Sequence, residues 1–301
     1  MNGPRFPRWP KSHDLSEDAE MEVTRHRNAD AFLEHAGEFL AAREAEHNLI
    51  LGLSSRLRHD PLLFGEAPYL AVVEDGGRVV AAALRTPPHH LVLSEIDGEG
   101  PIEPIAADAR AVFQTLPGAV GPTQVVARFA ELWQAETGAQ GRRALAQRIF
   151  RAESVEPPRG VAGRMRAYAE PDRELATRWF DAFVAEALPD DHPEPSEGAL
   201  DRRLAEPEGG LVFWEDHEGV CMAGYAGPTP NGIRIGPVYT PPELRGRGYG
   251  SALTAALTQQ LLEGGRRFCF LFTNLANPTS NRIYQRIGYK PVSDVDQWCF
   301  D

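Results

Sequence analysis

Two kinds of hydrophobic periodicity alternate along the chain: apolar residues at every second position, as in half-buried strands, and every three to four positions, as in amphipathic helices. The first series opens with a strand over 21–26 and a helix over 30–46, in which Phe32, Phe39 and Leu40 share one face. A second helix over 49–58 follows. Apolar runs over 69–74 and 78–84 flank Asp75-Gly76-Gly77, a hairpin signal, and 90–94 is a further strand. Helical spacing over 105–116 and 124–137 and a strand-like run over 144–151 close this series.

Pro157-Pro158-Arg159-Gly160 interrupts the pattern as a linker would, and the order of elements then starts again. A strand over 164–169 precedes Leu175, Trp179, Phe183 and Leu188 at helical spacing, and Ser196 can cap a short helix to 204. A hairpin over 211–226, a strand over 233–239, a helix over 251–263 and a strand over 268–273 follow. A helix over 278–286 and two last strands, 289–292 and 297–300, end the chain. A shared order of strand, two helices, three strands, helix, strand, helix and strand points to duplicated domains. The expected fold class is therefore α/β with a mixed sheet: a flexible segment over 1–20, a first domain over 21–156, a linker over 157–162 and a second domain over 163–301. Each domain is expected to be a mostly antiparallel sheet flanked by helices, and 301 residues suffice for two cores.

Composition narrows the functional classes. A formal net charge of −12 argues against a general nucleic-acid binder, which carries a basic face. No apolar run reaches membrane-spanning length, and Arg5, Arg8 and Lys11 are not followed by the apolar stretch of a secretory signal. Cys221, Cys269 and Cys299 sit singly in strand-like runs, which predicts reduced core thiols in a cytoplasmic protein. No His or Cys pair near them has ligand spacing, so no metal is expected. Oligomeric state leaves no mark in the sequence.

The segment 233–262 carries the chemistry. A strand ends near Tyr239, Pro241-Pro242-Glu243-Leu244 follows, and Arg245-Gly246-Arg247-Gly248-Tyr249-Gly250 leads into a helix beginning at Ser251. A strand, a glycine loop and a helix start gather unpaired N–H groups and the positive helix terminus at one point, which suits phosphate oxygens. A nucleoside-triphosphate loop would need Gly-Lys and then Ser or Thr, and a dinucleotide loop would space its glycines differently and place an acid where Phe268-Cys269-Phe270 stands. Pro237 gives the second clue. Proline cannot serve a central ladder, so it predicts a bulge that frees the strand from its neighbour and turns main-chain groups of Val238 and Thr240 toward a ligand.

Arg245-x-x-Gly248-x-Gly250 before a helix resembles the acetyl-CoA pyrophosphate loop of the GNAT superfamily of N-acyltransferases. Asn277-x-x-Ser280-x-x-Ile283-Tyr284-x-x-Ile287-Gly288-Tyr289 resembles that superfamily's second signature, at the expected separation. The resemblance covers about 163–301. It implies that the backbone of Gly246, Arg247, Gly248, Tyr249, Gly250 and Ser251 holds the pyrophosphate of acetyl-CoA, with Arg245 and Arg247 beside it. Val238 and Thr240 would hold pantetheine through their main chain, the Val238 N–H would polarise the thioester carbonyl, Asn277 would contact the cofactor arm, and Tyr284 would protonate the leaving thiolate. Asn277 reads equally as a helix cap, and Tyr284 as a core aromatic.

The implied reaction is direct attack by an amine of a small molecule or peptide on acetyl-CoA in a ternary complex, with a non-catalytic acyl-CoA-binding regulator as the alternative. No Asp or Glu lies in 233–239, so the base some relatives place there is missing. Glu186, Asp190, Asp191, Glu194 and Glu197 form either an acidic wall for a cationic acceptor or a solvated loop. In the first half the corresponding loop, Glu95-Ile96-Asp97-Gly98-Glu99-Gly100-Pro101-Ile102-Glu103, carries four carboxylates that would repel a pyrophosphate. This half is expected to be a degenerate copy without CoA.

Overall fold

Each half folds in the order its periodicity predicts. A computed structural model describes residues 21–98, 100–188 and 196–301; the segment predicted to be flexible, 1–20, lies outside the described residues. The first half comprises β1 (Glu22–Arg25), α1 (Ala29–Ala42), α2 (Asn48–His59), β2 (Tyr69–Asp75), β3 (Arg78–Arg85), β4 (Leu91–Leu93), α3 (Ile102–Val112), β5 (Gly118–Pro122), α4 (Thr123–Thr137) and β6 (Gly141–Ala152). The second comprises β7 (Arg164–Ala167), α5 (Arg173–Ala187), α6 (Ser196–Ala205), β8 (Gly210–Asp216), β9 (Glu218–Pro228), β10 (Gly232–Tyr239), α7 (Tyr249–Glu263), β11 (Phe268–Asn274), α8 (Pro278–Arg286) and β12 (Lys290–Phe300).

Alternation along the strands builds three layers. Tyr69, Ala71 and Val73 of β2 pack under α3 and α4, while Leu70 and Val72 face Phe32, Leu40 and Ile50 of α1 and α2. In the second half Val212, Cys221 and Ala223 face Leu253 and Leu257 of α7, while Leu211, Phe213 and Met222 face Trp179 and Leu200 of α5 and α6. The layers share one 12-stranded sheet in the order β1-β2-β3-β4-β5-β12-β6-β11-β10-β9-β8-β7. The halves exchange their last strands: β6 lies between β11 and β12, and β12 pairs with β5, all antiparallel.

Two predictions are corrected here. The strands expected at 289–292 and 297–300 are one strand, β12, because its polar centre is matched across the ladder by β6. Arg148 grips Asp294 with Nε at 2.6 Å and Nη2 at 2.8 Å, and Arg143 lies 3.4 Å from Asp296. Opposite charges on facing strands let the pairing continue through residues that otherwise read as a loop. The residue-level prediction also passed over β5. A further clasp joins the halves: the buried Glu44 accepts from the Thr229 hydroxyl, and from Asn231 N–H and Nδ2 at 2.7 Å each.

Candidate functional site

Strand β10 pairs in parallel with β11 only at Gly232↔Phe268, Ile233↔Cys269 and Arg234↔Phe270. Beyond Arg234 the two part, while β11 stays paired with β6 as far as Asn274. The cause lies in β10 itself. Against β9, Ile235 faces Tyr225 and Val238 faces Ala223, so Gly236 and Pro237 together oppose Gly224. This is the bulge that proline dictates, since it has no N–H for a ladder. The strand bends away and leaves a wedge between Val238 and Thr240 on one side and β11 on the other. The Thr240 N–H has no protein acceptor among the described residues.

The glycine loop stands at the mouth of that wedge. Gly246 and Gly248 adopt φ of +80° and +86°, a region that residues with a Cβ seldom enter, and Gly248 forms the cap of α7. Where a Cβ on Gly246 would stand, no heavy atom lies within 4 Å. None of the N–H groups over 246–251 meets a protein acceptor in hydrogen-bonding geometry among the described residues, and the first intrahelical bond runs from Ala252 N–H to Gly248 O. Six donors beside a positive helix terminus, in an open cradle, fit a diphosphate.

Side chains brace this loop. Arg245 donates from Nε to Thr240 O at 2.8 Å and from Nη2 to Glu186 at 2.6 Å, which keeps its own pKa raised. The Tyr249 hydroxyl donates to Asp216 at 2.7 Å, pinning the start of α7 to the end of β8. Arg247 is exposed beside the cradle. Glu186 is therefore engaged by the loop arginine. Asp190, Asp191 and Glu194 lie outside the described residues, as does the side chain of Glu197.

Helix α8 borders the other side. Asn277 caps it, with Oδ1 accepting from Ser280 N–H at 3.0 Å, and Pro278 occupies the first turn. The cap leaves Nδ2 of Asn277 without a partner among the described residues. No residue of α8 is fully buried; Ile283 and Tyr284, its apolar face, are half-buried, and Tyr284 packs against the core under α7. Tyr284 sets its ring edge-on to Tyr289 at 6.0 Å. Burial first, and the nearby Cys221 second, push the Tyr284 hydroxyl well above its ordinary pKa, so it stays protonated. Cys221, a buried core thiol as the sequence suggested, lies beside Thr240 and Tyr284. It accepts from the Thr240 hydroxyl at 3.2 Å, and burial lifts its pKa to about 12. Nothing in the local sequence links positions 221, 240 and 284; only the sheet brings them together.

Among the described residues the first half lacks this construction. Asp97, in the loop after β4, accepts from Arg43 at 3.0 Å and from Arg78 at 2.7 Å, and Glu103 from Arg128 at 2.9 Å. Glu99 lies outside the described residues. Arginines that could meet a phosphate are here engaged by the loop's own carboxylates.

Comparison with known proteins agrees with this anatomy. Residues 223–299 match the family model of FR47-like proteins. No curated protein matches the sequence significantly. Among solved structures, a Drosophila protein superposes with a TM-score of 0.63 at 14% identity, over 93% of this chain and 98% of its own. A tandem GNAT protein from the clavulanic acid biosynthesis pathway gives a TM-score of 0.57 at 15% identity, over 93% and 97% of the two chains. A GCN5-related N-acetyltransferase from Kribbella flavida gives 0.53 at 19% identity, over 83% and 95%. Residues 223–299 thus resemble FR47-like proteins, and the chain as a whole shares the fold of solved GNAT proteins, a tandem one among them.

Proposed function

We propose that this chain transfers the acetyl group of acetyl-CoA to a primary amine of a small molecule or peptide, by direct attack in a ternary complex. Residues 163–301 carry the site, and 21–156 is a supporting copy that binds no CoA. One observation carries the reading: β10 leaves β11 after Arg234, next to a loop whose six N–H groups have no protein acceptor among the described residues. When bound, acetyl-CoA supplies a thioester activated toward amines.

The chain's own residues do the rest. Backbone over 246–251 holds the diphosphate and so fixes the donor's position. Main-chain groups of Val238 and Thr240 line the wedge that takes the pantetheine arm, and the Val238 N–H is the donor for the developing oxyanion. Asn277 Nδ2 remains for a contact to that arm. Tyr284 keeps its proton across the neutral range and passes it to the departing sulfur. Cys221, with its pKa raised to about 12, stays a thiol, which supports direct transfer over an acyl-enzyme on that sulfur. With no carboxylate in β10, the amine enters in its neutral form.

The test is a panel of amines incubated with acetyl-CoA and the full chain, with released thiol and acetylated product both measured. Amine-dependent thiol release with matching N-acetyl product is expected. CoA binding without turnover on any amine would instead make the chain a regulator.

A further inference from the structure

On the face of the sheet opposite α7, beside the β10 bulge, three arginines converge. Arg203, in the last turn of α6, lies over Gly224: a Cβ at that glycine would stand 3.1 Å from Arg203 Nη1 and 3.0 Å from Gly236 O. Nε and Nη1 of Arg203 are buried and have no hydrogen-bond partner among the described residues. Arg234, the last residue of β10 paired to β11, points to the same side, its guanidinium 6.0 Å from the Phe272 ring. It makes no hydrogen bond or ion pair among the described residues. Arg56 reaches in from α2 of the first half and meets Glu206, Nε to Oε2 at 3.0 Å. The other oxygen of Glu206 accepts from Gly227 N–H at 2.8 Å.

Among the described residues, neither Arg203 nor Arg234 has a carboxylate in hydrogen-bonding contact, Glu206 being engaged by Arg56 and the Gly227 N–H. Burial first, then Arg234 and Arg56, push the Arg203 pKa down, with Glu206 opposing. Arg234 is pushed down by burial and by Arg56. Buried donors without acceptors and like charges held together are both unfavourable, and an oxyanion group relieves both at once.

We infer that the acceptor amine also carries an acidic group, a carboxylate or a phosphate, which Arg203 and Arg234 receive at the β10 bulge. The term acceptor rests on the acetyl-transfer reading; the anion site does not. Gly236 lies two residues from Val238, about 7 Å along a strand, so amine and acid sit a few bonds apart on one small molecule. Arg56 makes the first half a wall of this subsite. A cationic amine without an acid would face the guanidiniums of Arg203 and Arg234 there.

The experiment uses the full chain, acetyl-CoA and matched pairs: α- and β-amino acids against their amides, and phosphoethanolamine against ethanolamine. The acid member is expected to be favoured in kcat/KM by about 10- to 100-fold, and whichever pair shows the larger ratio tells carboxylate from phosphate. In Arg203→Gln and Arg234→Gln that ratio falls toward one, with calorimetric CoA binding as the check on folding. Turnover with no preference for the acid, or a preference that survives both substitutions, overturns the inference while leaving acetyl transfer intact. If no amine turns over, thermal melting decides: acids that raise Tm in the parent chain but not in Arg203→Gln keep the anion site without the transferase. Acids that raise Tm in neither overturn it.

Discussion

Adding a single methyl group at two glycines two residues apart should have opposite effects. Gly248 sits at φ +86°, and a Cβ there would stand 3.0 Å from Val161 Cγ2. Holding alanine in the left-handed region costs about 1–2 kcal/mol, and the valine methyl must also give way. Gly250 lies outside that region, in the first turn of α7, and its added Cβ would meet Thr240 Oγ1 at 3.5 Å, an ordinary contact. Alanine there restricts the unfolded chain and stabilises by up to about 1 kcal/mol. At roughly 2–4 °C per kcal/mol, Gly248→Ala should melt about 2–8 °C below the parent and Gly250→Ala at or slightly above it. The functional effects diverge as well. Relaxing residue 248 to negative φ swings its N–H and its neighbours out of the cradle and should weaken CoA at least about tenfold, the loss of one or two charge-assisted bonds. Gly250→Ala keeps every N–H in place and should bind CoA within a few-fold of the parent. Calorimetric titration and thermal melting of both variants measure this. Gly248→Ala with parental Tm and parental CoA affinity would refute the argument.

Three further outcomes follow from the same geometry. Tyr284→Phe should lower kcat by about 10²–10⁴ with little change in CoA affinity, read by steady-state kinetics beside calorimetry; equal turnover removes the acid role. Glu44→Ala should destabilise the chain by about 2–4 kcal/mol in urea unfolding, because the Thr229 hydroxyl and the Asn231 donors lose their acceptor, and a change below 0.5 kcal/mol would contradict the clasp. His47 is buried with Nδ1 bonded to Leu40 O at 3.0 Å and Nε2 accepting from Glu95 N–H at 3.1 Å, so the fold holds it neutral; burial lowers its pKa from 6.5. The unfolded chain then binds the proton first, so this residue's contribution to stability is complete above pH 6.5 and falls as pH drops below it, and His47→Gln should flatten that part of the pH–stability curve.

Parts of this architecture were legible because single residues dictate them. Glycines at 246 and 248 mark the cradle, Pro237 forces the bulge, and Asn277-Pro278 starts α8; in each case backbone geometry follows from one residue's own limits. Strand β5 hid behind Gly118-Ala119-Val120-Gly121-Pro122, which lacks strand character. Its glycines answer to neighbours instead: a Cβ on Gly118 would stand 2.0 Å from Trp298 O, and one on Gly121 would stand 3.0 Å from Leu93 Cβ. The centre of β12 was hidden likewise, since Asp294 and Asp296 find their arginines on β6, 146 and 153 positions away. Strand exchange, the Cys221–Thr240–Tyr284 grouping and the Arg203–Arg234 pair all depend on which strands become neighbours, and local periodicity does not encode that.

Titrating the full chain with CoA and, separately, with pantetheine tests the central claim most directly, because pantetheine lacks the 3′-phosphoadenosine diphosphate whose diphosphate the 246–251 amides are held to grip. The account predicts one CoA per chain and pantetheine binding at least about a hundredfold weaker, the loss of two or more charge-assisted hydrogen bonds. Equal affinity for the two ligands, or two CoA molecules per chain, would contradict it.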